Sequence, residues 1–149
     1  MPNSRLAFGI LAAMQISLVP MGVGAAPFDA KAPEARPGET FQFDTITPFL
    51  KFSDAFGDRT KPGAHGTFGI IPANTASPQH IHSVAYHGVV IRGVLIKPFN
   101  GDPNPPRLNP GSYWYVPANV PHVTACVSDE PCLFYTHMDG PFDVKLTGH

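Results

Sequence analysis

Residues 80–93 read HIHSVAYHGVVIRG and residues 111–122 read GSYWYVPANVPH. His80 and His82 stand two positions apart, and in an extended strand that spacing turns both imidazoles to one face. Such a pair offers two nitrogens to a single divalent cation. His122 follows the proline-flanked turn PANVP, and the placing of Gly111, Pro117 and Asn119 before it describes a hairpin that returns a third imidazole to the first two.

Outward from these stretches the chain reads as short strands separated by turns. Thr40–Phe43 and Pro48–Phe52 carry aromatic and β-branched residues in short alternation, and Gly66–Ile71 ends at Pro72. Val89–Ile96 is a single β-branched run too rich in valine and isoleucine for a surface helix. Gly111–Val116, His122–Val127 and Leu133–His137 complete the set, and Asp139–Val144 turns into a final strand or tail. Phe56–His65, Pro72–Pro78 and the proline-stiffened Asn100–Pro110 are connections. With 14 glycines and 18 prolines in 149 residues, long helices are disfavoured, because proline lacks the amide N–H and fixes φ. The expectation is one all-β domain, a sandwich or a barrel.

Composition narrows the partners. Hydrophobic residues make up 43% of the chain, enough for a real core, and charged residues only 14%, with a net charge of −1. No basic patch is available to neutralise a phosphate backbone, so nucleic acid is excluded as a partner. Residues 1–25 have the layout of a secretory signal peptide: one positive charge by Arg5, an apolar run from Leu6 to Val19, then small residues with Val23 and Ala25 placed for cleavage. The run is shorter than the roughly 20 apolar residues that cross a bilayer. The reading is cleavage after Ala25, a periplasmic or secreted protein without membrane attachment, an extended leader over 26–39 and a β-barrel domain over 40–149.

The two histidine stretches resemble the paired motifs of the cupin superfamily. In the first, His-x-His is followed by three or four residues, a glutamate, six residues and a glycine; His80, His82 and Gly93 match. In the second, Gly111, Pro117 and His122 match in register, with Asn119 at the turn glycine and Cys126 at the closing asparagine. Asn119 tolerates the positive φ that such a turn requires. The resemblance implies a single-domain jelly-roll β-barrel and, from related proteins, a homodimer.

The glutamate is missing. The shorter spacing puts Tyr86 in its place, and the longer one, through a bulge, puts His87 there. Neutral imidazole is the better ligand at pH 7, which favours His87, while register favours Tyr86. The expected metal set is therefore His80, His82, His122 and His87, with Tyr86 in the pocket as a catalytic group if it is not the ligand. Without a carboxylate, the full 2+ charge would pull on an anionic substrate or on hydroxide. An all-nitrogen set suits one divalent transition metal, Zn, Fe, Cu, Mn or Ni, over Mg or Ca.

By the same resemblance the function is a metal-dependent oxygenase, or a related lyase or isomerase, acting on a small oxygenated molecule. The alternative is a non-catalytic cupin that binds metal or a small ligand. His137, on a later strand with Tyr135, is a candidate acid or base inside the barrel. Tyr113, Trp114 and Tyr115 alternate across both faces of one strand, some in the core and some toward the pocket mouth. Cys126 and Cys132 flank VSDEP and, in an exported protein, read as a disulfide.

Overall fold

A computed structural model describes residues 28–147; the signal-peptide reading falls outside the described residues. Among these residues the elements are a 3-10 turn at Gly38–Thr40 and eleven strands. In chain order the strands are β1 Asp44–Thr47, β2 Leu50–Phe56, β3 His65–Ile71, β4 Thr75–Ala76, β5 His80–Ile81 and β6 Tyr86–Arg92. They continue with β7 Leu95–Ile96, β8 Tyr113–Val116, β9 Ala125–Cys126, β10 Cys132–Met138 and β11 Lys145–Leu146.

The larger sheet has the order β1-β2-β3-β10-β6-β8. The facing layer is built from two short ladders, β4-β9-β7 and β11-β5. Single bridges from His80 to His122, and from His122 to Phe99, join them. This is an all-β jelly roll of two layers.

Alternation along the strands divides inside from outside. On β6, Tyr86, Gly88 and Val90 are buried while His87, Val89 and Ile91 are exposed. On β8, Trp114 and Val116 are buried while Tyr113 and Tyr115 face solvent. The core joins inward residues of both layers, among them Ile71, Val90, Leu95, Val116 and Phe134. Gly88 has no side chain for a packing reason: a Cβ there would lie 2.1 Å from Cζ2 of Trp114.

Three expected strands differ, and of His122–Val127 only Ala125–Cys126 is strand. Val89–Ile96 is not continuous, because Gly93 adopts φ +76 and the chain there crosses from the larger sheet to the facing layer. A side chain at Gly93 would also meet Sγ of Cys132 at 2.8 Å. The first strand begins at Asp44 rather than Thr40, since Gly38–Thr40 forms the 3-10 turn. The segment before it packs locally: Phe28 stacks on Phe56 at 5.5 Å, and Arg36 lies over the Phe41 ring at 4.6 Å. Cys126 on β9 and Cys132 on β10 are disulfide-bonded, which clasps the two layers together.

Candidate functional site

His80, His82 and His122 converge, and their ligand atoms all lie within 4.8 Å of one another. β5 and its neighbour produce this: the backbone N–H groups of His80 and His122 each donate to the other's carbonyl at 3.0 Å. Asn119, at φ +61, closes the turn before His122, and its N–H donates to the His82 carbonyl at 2.8 Å. The ring centroids are 4.4 Å apart for His80 and His122, and 4.9 Å for His80 and His82.

Each imidazole is oriented by the backbone. Nδ1 of His80 donates to the Pro78 carbonyl at 2.8 Å, Nδ1 of His122 to the Val120 carbonyl at 2.9 Å, and Nδ1 of His82 to the Asp143 carbonyl. A carbonyl oxygen only accepts, so every Nδ1 carries the proton and every Nε2 keeps its lone pair. Burial pushes His122 down to about 3, helped by the charge of Lys97. Burial also takes His82 down to about 4 and lowers His80. Three neutral imidazoles are what a divalent transition ion binds, and this donor set could hold one.

Beside the triad is a polar chain that ends in a buried amine. Tyr86 Oη lies 2.9 Å from Nε2 of His122. Nζ of Lys97 donates to Tyr86 Oη at 2.8 Å and to Thr124 Oγ1 at 2.5 Å. With the Lys97 donors turned on it, the tyrosine oxygen accepts from the lysine and its own proton points to His122. Burial raises the Tyr86 hydroxyl above its usual range and presses Lys97 down to about 7. Tyr86, Lys97 and Thr124, with His80 and His82, line a cavity of about 440 Å³ whose other walls include Phe52, Ile71, Phe134, Met138 and Phe142.

Residues 53–149 match the family model described as a domain of unknown function, DUF4437. The chain belongs to this family. No curated protein sequence matches it. Among solved structures, this DUF4437 chain is similar to the polyketide cyclase RemF from Streptomyces resistomycificus, with TM-score 0.67 and 13% identity over 79% of this chain and 87% of that one. It is similar to an RmlC-like cupin from Shewanella frigidimarina, with TM-score 0.59 and 16% identity over 74% and 92% of the two chains. A salicylate 1,2-dioxygenase from Pseudoaminobacter salicylatoxidans, solved with gentisate, matches at TM-score 0.58 and 19% identity over 70% of this chain and 31% of that one. These likenesses establish the cupin fold.

The DUF4437 domain decides between the two residues at the missing glutamate. Tyr86 points inward to His122, whereas His87 is on the outer face of β6, with Nδ1 2.5 Å from the Tyr113 hydroxyl and its ring 4.8 Å from that of Tyr115. His87 is therefore not a member of the metal set: no bulge interrupts the alternation at 86–87, and consecutive strand residues face opposite ways. His137 is corrected for the same reason. It pairs directly with His87 across β10 and β6, contacts Asp139 at 3.6 Å, and lies outside the cavity that Thr136 and Met138 line from the same strand.

Two contributors escaped the sequence reading. Lys97 lies two positions after the fully buried Leu95, so period-two alternation alone points it inward, and a lone cation on a buried face was the available signal. Asp143 acts through its backbone carbonyl on His82, across 61 positions, and no local pattern marks such a contact.

Proposed function

We propose that this chain is an exported, metal-dependent enzyme acting on a small oxygenated molecule, an oxygenase or a related lyase or isomerase. The carrying observation is the convergence of His80, His82 and His122 with every Nδ1 bound to a carbonyl, which leaves the Nε2 atoms as the ligand nitrogens. When bound, the ion supplies Lewis acidity and polarises a chelated oxygen of the substrate. The protein's own residues do the rest. Tyr86 presents one hydroxyl proton at the triad, Lys97 and Thr124 hold that hydroxyl in place, and the apolar walls exclude water from the reacting group.

The rival reading, a non-catalytic metal store or sensor, calls for a closed shell of four nitrogens. Among the described residues only three imidazoles meet at the site, and both further candidates, His87 and His137, face outward. The position left over, beside a protonated hydroxyl in a cavity large enough for a small molecule, favours turnover.

Elemental analysis of protein recovered from the periplasm tests the metal reading. About one transition ion per chain is expected, with a three-histidine site losing it on His122→Ala. Unchanged metal content in that variant would sink the proposal. N-terminal sequencing of the same material should begin at Ala26, and dioxygen uptake with diketones, catechols and flavonols separates an oxygenase from a lyase or isomerase.

A further inference from the structure

Lys97 is 3% exposed, and both of its hydrogen-bond partners, Tyr86 Oη and Thr124 Oγ1, are uncharged oxygens. Among the described residues no carboxylate lies within ion-pair distance of its Nζ. An ammonium group carries three donors, and two are occupied. Next to it, Nε1 of Trp114 is buried without any acceptor, and the ammonium sits 5.0 Å from the centre of the Trp114 ring. Lys97 thus brings one unused donor to the cavity wall beside Trp114.

The charge balance points the same way. The single acidic side chain that lines the cavity, Asp143, is already engaged by Ser83 through its N–H at 2.7 Å and its hydroxyl at 2.5 Å, with Lys145 at 3.7 Å. Three neutral imidazoles do nothing to offset a divalent ion. A buried cation without a counter-charge is unfavourable, and an anion that enters the cavity relieves it. Apart from this corner, His80, His82 and the hydroxyl residues Thr47, Ser77 and Thr136, the walls are aromatic and aliphatic, so they offer few partners to a polyhydroxylated body.

We propose that the substrate of this site is a small carboxylate with an apolar body, and that Lys97 is the residue that selects it. The inference rests on the cavity being the substrate site, as in the proposed function. The carboxylate takes the free donor of Lys97, the apolar body lies against Phe52, Phe134 and Met138, and the oxygenated end is left to the triad.

Trp114 is the one tryptophan of the chain and reports binding directly by its fluorescence. The probes are 3-phenylpropionate, its uncharged analogue 3-phenylpropanamide, and galacturonate, titrated into the purified protein and into the same protein after chelator treatment. In both forms 3-phenylpropionate should bind roughly tenfold or more tighter than the amide, the worth of one charge-assisted hydrogen bond. Galacturonate should bind more weakly than 3-phenylpropionate, and Lys97→Met should bind acid and amide alike while its circular dichroism matches the parent. Equal binding of acid and amide by the parent protein, no saturable response, tighter binding of galacturonate, or a preference that survives Lys97→Met overturns the proposal. The parent comparison needs no variant, so a misfolded Lys97→Met leaves the question answerable. Protein purified without any ion that keeps the preference sinks the metal reading and leaves Lys97 standing; ion-loaded protein without the preference does the reverse.

Discussion

The Nε2 lone pair of His122 has two claimants. In the structure Tyr86 donates to it, and an ion at the triad would need the same lone pair. An ion held there would leave the Tyr86 proton without its His122 acceptor, so the same hydroxyl would be a place-holder without the ion and a candidate proton donor with it. Tyr86→Phe should leave metal content unchanged, since it removes a competitor rather than a ligand. Turnover should fall by about 100-fold or more, the usual worth of a positioned acid or base. Elemental analysis beside kcat measures both, and a variant stripped of its ion would make Tyr86 a ligand instead. At this scale the sequence was legible for His80 and His82, whose spacing implied a common face, and for His122, which the hairpin turn before it returned to them. It was ambiguous at 86–87, because two adjacent residues with ligand-like side chains differ only in which way the strand turns them. That depends on register with β8 and β10, a long-range property.

The hairpin between β8 and His122 depends on one backbone conformation. Asn119 holds φ +61 and ties its N–H to the His82 carbonyl, so the turn positions two ligands at once. Asn119→Ala should cost about 1 kcal/mol, the penalty of a Cβ in the left-handed region, while Asn119→Gly should cost little. Urea unfolding of both variants checks the order, and an alanine no worse than glycine would contradict it. That turn was legible because PANVP carries its signals locally. The break at Gly93 was not: an apolar run through VVIRGVLI is equally consistent with one strand or with two in different layers. What separates them is the Cys132 corner packed against Gly93, which no local pattern reveals. His137 was misplaced by the same kind of gap, since β10 was legible as a strand but its facing was not.

Over the whole molecule, burial sets the response to pH. Folding carries His82 from 6.5 to about 4 and His122 from 6.5 to about 3. Between those values and 6.5 the unfolded chain binds protons that the folded chain refuses. The stability tied to these histidines is thus complete above pH 6.5 and drains away as pH falls through 4 toward 3. Lys97, moved from 10.5 to about 7, acts on the alkaline side, where stability should rise as pH increases through that interval. Urea midpoints of ion-free protein measured from pH 4 to 9 should climb throughout, and a flat or falling profile would contradict the burial of these groups.

The segment after β10 runs over the cavity through Phe142, Asp143 and Val144 before β11 docks on β5. The same backbone supplies the carbonyl that orients His82. One stretch is therefore both cavity wall and anchor of a ligand, so whatever displaces it would also slacken the grip on one imidazole. A bulky fusion joined behind Leu146 would bear on the same stretch through β11. Protein produced that way would then be poor in metal even with every ligand intact.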